Sequence, residues 1–434
     1  MPSIGEKVKA LRKHRNINQL ALAEYIGTTN DRVIDIEAGR AEYHDRHIDE
    51  IKKLFDIVDM PLDDNDRPAF VRRLYLWRAY MKRDLTGEAV KMRAELAKVV
   101  NLEPCDHNLV MLYKIFEARM LVEENKLLEA ENNFNLIDPE KLNKENLFQY
   151  YYVKGYISMR NGQYETCLSE LLIAHELKES HPGLLPEYDI NGKNIYYGIA
   201  WCYTYLEFPY RAISFLYKAK ELCDKDVIDN LMLYLDILLA QNYVRVNELG
   251  EAEKLLRSCL SQAQSARDDH YVGITKWVYG CLHRASDNYK MAIVDLSDAL
   301  KYLQEESENY AIALYEYIRS HICNRQFSKA NRLLESVQIK YNSNEFWTQQ
   351  FEALRHYGII SRRISVKNKV SCEYIENVAI PQFEQSYDYF RIVDYCELLE
   401  SHYVAIKSYR NSLRMGVKIR DVYKRCFINS DRRA

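Results

Sequence analysis

A short pattern recurs six times along this chain, and it decides what the chain can fold into. A small residue is followed four positions later by an apolar one, and three after that by another small or apolar one. The series is Ala130/Phe134/Ile137, Cys167/Leu171/Ala174, Ala212/Leu216/Ala219, Ala252/Leu256/Cys259, Ala292/Leu296/Ala299 and Ala330/Leu334/Val337. Its first members lie 37, 45, 40, 40 and 38 residues apart. Steps of four and three put each triplet on one face of a helix. Twelve residues before each triplet stands Ala118, Gly155, Ala200, Ala240, Gly280 or Ile318, mostly small, as two closely crossing helices require. One helix pair cannot bury its apolar face alone, whereas three or more stacked pairs share a continuous core. With only 14 Gly and 9 Pro in 434 residues, the helices are expected to be long and the connections short.

The pattern resembles the tetratricopeptide repeat, with small residues at the helix crossing and an aromatic near the turn at Tyr164, Tyr289 and Phe327. A seventh, degenerate unit runs through Ile359, Ser371, Ile375 and Val378, and an eighth through Tyr403, Tyr409, Ser412 and Ile419. The period exceeds the usual 34, which longer helices explain. The fold class expected is all-α, with the repeats wound into a right-handed α-α superhelix that has a concave inner face.

The first sixty residues read differently. Ile4, Val8 and Leu11 share one helical face, Asn18 can cap a second helix ending at Gly27, and Thr28 or Thr29 a third ending at Gly39. The spacing of Gln19, Ala23, Ile26-Gly27, Val33, Ile36-Glu37 and Gly39 resembles the helix-turn-helix of the Xre/lambda-repressor-like family over residues 4–58. That resemblance implies a second motif helix lying in the major groove, so that Gln19, Thr29, Asn30, Asp31, Arg32 and Ile34 face DNA. Charge opposes this in part. Residues 1–20 carry five Lys/Arg against one acid, but residues 1–60 carry ten against eleven, and Asp31 and Asp35 sit on the recognition helix. Carboxylates there repel phosphates, although an Asp can accept from cytosine N4.

Residues 59–68, with Pro61, Pro68 and four acids, read as a linker. Two connecting helices follow, one over 69–83 and one after a break at Thr86-Gly87. Arg72, Arg73, Arg78, Lys82 and Arg83 on the first read as a solvated face. The expected domains are therefore 1–60, a helix-turn-helix; 61–100, linker and connecting helices; and 101–434, the repeat domain with C-terminal capping helices.

Other classes find little support. A net charge of −3 argues against polyanion binding by bulk charge. The ten Cys include no C-x-x-C pair and mostly sit in apolar helical patterns, which fits free thiols in a reducing compartment. The N-terminal residues lack a signal peptide's apolar stretch and no run of 18 apolar residues occurs, so a cytoplasmic chain without a membrane span is expected. No P-loop, G-x-G-x-x-G, H-E-x-x-H or G-x-S-x-G is present. His44 and His47 read as surface residues, His283 and His321 as core. No catalytic residue, metal or cofactor is expected, and the chain reads as a non-enzyme.

An Xre-type domain followed by long-period repeats resembles the RRNPP regulators (Rap, Rgg, NprR, PlcR and PrgX types), with a layout most similar to the NprR type. The resemblance implies quorum sensing: a short signalling peptide binds the concave face and changes oligomeric state or the binding of operator DNA, in a homodimer or higher oligomer. Residues just after each small crossing position, with those a turn away, should face inward. On the earlier helices these are Arg119, Arg160, Asn194, Tyr197, Trp201 and Tyr205. On the later ones they are Gln241, with Asn242 a nearby alternative, and Arg245, Trp277, Arg284, Tyr315 and Arg319. Amides suit a peptide backbone, an Arg fork suits its carboxylate, and aromatics give apolar contact at low entropic cost. Rap-type relatives dephosphorylate a response regulator with a Gln on an N-terminal bundle; no Gln falls within 69–100. An adaptor that sequesters a response regulator or another protein, its helix-turn-helix no longer binding DNA, is the alternative. A repeat scaffold without any ligand is a third.

Overall fold

The computed structural model describes residues 3–55, 66–82, 86–100, 107–186, 189–222, 230–341, 344–362 and 368–428. Among them there are helices and turns but no strand, and no helix is long and apolar enough to cross a membrane. Contacts divide the chain into two compact units, Met1–Ile195 and Tyr196–Ala434.

The first unit opens with α1 (Ile4–His14), α2 (Gln19–Tyr25), α3 (Asn30–Glu37) and α4 (Asp45–Phe55). Ser3 and Glu6 cap α1 reciprocally. The Asn18 side chain accepts from Ala21 N, and of the two threonines Thr29 is the cap of α3, accepting from Arg32 N. Gly27, at φ 67°, makes the left-handed step between α2 and α3. Val8, Leu11, Leu22, Val33, Ile36, Ile51 and Phe55 form the core. Ile4, expected beside Val8, is exposed, and His47, expected at the surface, is buried. His47 packs edge-on to Tyr43, and burial holds its imidazole below the ordinary histidine range.

The expected linker at 59–68 lies largely outside the described residues. After it come α5 (Asp66–Lys82) and α6 (Thr86–Val100). Then begin the helix pairs: α7 (His107–Glu123) with α8 (Leu127–Asn135), and α9 (Lys144–Arg160) with α10 (Tyr164–Ser180). The next helix, α11 (Ile190–Tyr205), carries the division between the units.

In the second unit α11 is followed by α12 (Pro209–Glu221), α13 (Asn230–Arg245), α14 (Leu249–Ala266), α15 (Asp269–Ala285), α16 (Tyr289–Tyr302), α17 (Glu308–Cys323) and α18 (Phe327–Lys340). The last elements are α19 (Glu345–Arg362), α20 (Lys369–Tyr374), α21 (Ile380–Gln385), α22 (Tyr389–Ala405) and α23 (Tyr409–Tyr423). A π-helical turn, Ile375–Ala379, joins α20 to α21 just before Pro381. The proline has no N–H to give and crowds the preceding carbonyls, and widening the helix there relieves the clash.

The repeat pattern is the core. All eighteen residues of the six triplets are buried. Partners pack in chain order, α9 on α10, α13 on α14, α15 on α16 and α22 on α23. A methyl group on Gly280 would lie 2.4 Å from Leu296 Cγ, and one on Gly155 would lie 3.0 Å from Leu171 Cγ, which is why the crossing residue is small. Each described turn within a pair places a left-handed residue two positions past the first helix: Asn125, Gly162, Glu207, Asn247, Asp287, Arg325 and Lys407.

Candidate functional site

The expected DNA face is built on α2, the turn at Gly27 and α3. Thr29, Asp31 and Arg32 are exposed, while Asn30, Ile34 and Gln19 are half-buried. Thr29 spends its hydroxyl on the cap. Gln19 donates through Nε2 to Glu37 at 2.9 Å, joining a buried bidentate pair in which Arg12 Nε and Nη2 each donate to Glu37 at 2.7 Å. Asp35 is paired on the surface with Arg40 at 2.9 Å, whereas Asp31 points its charge outward.

The inward-facing candidates separate by unit. In the first, Arg160 is exposed and donates to Asn125, and Asn194 is buried. Arg119 is 5% exposed, lies 3.2 Å over the centre of the Tyr156 ring and is paired with Glu123. Arg78 of α5, read from sequence as part of a solvated basic face, is 2% exposed. Trp77 beside it stacks on Tyr113, and Tyr75 meets Phe116 edge-on, so α5 is anchored to α7. A buried polar chain continues from there. Tyr75 donates to Glu145, and Gln149 donates to both Tyr75 and Asp189. Asp189 also accepts from the N–H groups of Asn191 and Gly192, and burial raises its carboxyl to about 6.

In the second unit Tyr197, Trp201 and Tyr205 form a half-buried stripe along α11, with the Trp201 and Tyr205 rings 4.0 Å apart. Gln241 is half-buried, and Trp277 spans two core clusters. The alternative amide, Asn242, is fully buried and donates to Thr204 Oγ1 and Leu238 O, both at 2.8 Å. The arginines here are paired with the protein's own acids. Arg284 meets Glu316 at 2.9 Å, Arg319 pairs with Asp394 and Glu316, and Arg245 lies 3.9 Å from Glu207. Tyr315 is fully buried, sharing its hydroxyl with Tyr395 at 2.9 Å, and Arg391 covers its ring at 4.0 Å. Arg391 in turn donates to Gln350 and meets Asp388. Glu207 accepts the Phe390 N–H, and burial together with neighbouring Asp388 pushes its carboxyl well above the ordinary range.

No family model matches the chain, and no curated protein matches it by sequence. Solved structures do. The apo form of the quorum sensor NprR from B. thuringiensis superposes with a TM-score of 0.65 at 20% identity, over 83% of this chain and 99% of that one. NprR in complex with its cognate peptide NprX gives 0.65 at 21% identity, over 81% and 98%. A Rap protein complexed with competence and sporulation factor gives 0.68 at 14% identity, over 83% and 98%. The chain has the fold of the NprR and Rap proteins. It is an all-α, tetratricopeptide-like repeat fold, as the sequence pattern implies.

Within this NprR/Rap fold, sequence reading nominated the arginines of α13, α15 and α17 but missed the acids that face them. Glu316 and Arg319 are three residues apart on α17, as are Asp388 and Arg391 at the start of α22, so a helical-spacing search for ion pairs would have found half of the network. The links between α17 and α22 had no sequence signal. Arg78 was missed because α5 shows no clear apolar stripe: Leu74, Tyr75, Trp77, Arg78 and Met81 are all buried.

Proposed function

We propose that this chain is a peptide-responsive regulator of the quorum-sensing kind, cytoplasmic and acting by binding rather than by catalysis. Its repeat domain takes a short signalling peptide and thereby alters the DNA binding or oligomeric state of its helix-turn-helix unit. The observation that carries this reading is the fold shared with the quorum sensor NprR, solved with its cognate peptide NprX, and with a Rap protein solved with competence and sporulation factor. The half-buried aromatics Tyr197, Trp201 and Tyr205 on α11 and half-buried Gln241 have the chemistry an extended peptide needs. The exposed start of α3, with Thr29 capping and Arg32 exposed, supports a DNA-reading role. A homodimer on two half-sites follows from such a role.

Footprinting of the full-length protein on DNA flanking its own gene tests the output half, with and without heptapeptides from the C-termini of adjacent small reading frames. A specific footprint that such a peptide strengthens or removes is the expected result; no footprint under any condition excludes it. The adaptor reading has its own support. Asp31 is exposed on α3 and Gln19 is engaged with Glu37, so two of the six DNA-facing residues are ill suited to it. Retention of a response regulator by the chain, with no footprint, would favour that reading.

A further inference from the structure

The buried arginines of the second unit are ion-paired with acids of the protein, but Arg78 in the first unit forms no ion pair among the described residues. It is 2% exposed, and its Nε and Nη1 atoms have no hydrogen-bond acceptor. Arg119 on the adjacent α7 leaves its own Nε without one, although Glu123 neutralises its charge. Two interacting guanidinium groups in a buried site are costly, and the single carboxylate of Glu123 balances only one of the two charges. Burial and the Arg119 charge together pull Arg78 down to about 10. Glu123 and Asp189 offset this in part, but Glu123 is paired with Arg119 and the oxygens of Asp189 already accept from Gln149, Asn191 and Gly192. Tyr152 walls the site and is itself buried.

We propose that Arg78 and Arg119 form a carboxylate-binding site within the first unit, which takes an acidic group of the bound peptide, either its C-terminus or an Asp/Glu side chain. This rests on the peptide-receptor reading. Planar guanidinium donors match a carboxylate, and the unused N–H groups of Arg78 give the site its demand for one. The placement also has a consequence for output. Helix α5 is the first described helix after α4, so a carboxylate shared by Arg78 and Arg119 fastens that helix to the first repeat.

The full-length protein and Arg78→Met test this in two ways. In thermal unfolding without ligand, Arg78→Met should raise Tm by a few degrees, because it removes a buried cation whose Nε and Nη1 have no acceptor. A fall in Tm means that Arg78 is a structural strut and overturns the proposal. Affinity selection then uses random heptapeptide libraries carrying a C-terminal acid or a C-terminal amide. The wild type should enrich acid-terminated peptides, or in the amide library those with Asp or Glu, about tenfold or more over Arg78→Met. The two libraries separate a terminal carboxylate from a side chain. Equal enrichment by both proteins overturns the carboxylate site and leaves the peptide reading standing. No enrichment by the wild type overturns both.

Discussion

Gly280 of α15 sits directly against Leu296 of α16, so close that an added methyl group would lie 2.4 Å from Leu296 Cγ. The contact joins one triplet of the repeat to its crossing residue. Gly280→Ala should therefore overpack the pair and cost about 1–3 kcal/mol. A methyl group added to Gly250, near the start of α14, would meet nothing within 4 Å, so Gly250→Ala should leave stability unchanged or slightly raised. Urea denaturation of both variants checks the contrast, and equal effects would show that the crossing is not tight.

The Arg12–Glu37 pair holds α1 to α3 with side chains only 9% and 1% exposed. Removing one partner strands the other charge, so Glu37→Leu should destabilise the N-terminal helices by about 3–5 kcal/mol. Adding Arg12→Met should recover part of that loss. Hydrogen exchange should show lost protection over residues 4–55 in the single variant, with residues 230–341 unaffected. Uniform loss along the whole chain would contradict a local role.

If α3 reads DNA, Asp31 opposes it and Arg32 assists. Asp31→Asn should tighten binding to a footprinted site severalfold. Arg32→Ala should weaken it and, where Arg32 meets phosphate, reduce the salt slope by about 1. Anisotropy titrations at several salt concentrations measure both; affinity indifferent to salt and to Arg32 would count against DNA binding altogether.

Asp189 should make stability fall as pH rises. Its carboxyl, raised to about 6, keeps its proton in the folded chain at pH values where the unfolded chain has released it. The folded state thus binds more protons between about pH 4 and 6. This group's contribution is full below pH 4 and is lost as pH rises through 6. The Tm difference between Asp189→Asn and wild type should grow from pH 4 to pH 7. A flat difference would show that Asp189 is ionised throughout.

The sequence by itself determined the repeat scaffold. A triplet spaced by four and three, with a small residue twelve positions earlier, is a local consequence of helix geometry, and all eighteen triplet residues are buried where the pattern puts them. The cap at Asn18, the helix end at Gly27 and, to within one residue, the cap of α3 were legible for the same reason, since each depends on neighbours a few residues away. The chemistry facing the interior was not. Arg78 became a buried, unpartnered cation only because α5 packs on α7, and Arg319 lost its freedom to Asp394, 75 residues further on. Helical periodicity tells which side chains leave the solvent, but charge compensation depends on which helix arrives opposite, and only the tertiary packing of helices distant in sequence decides that.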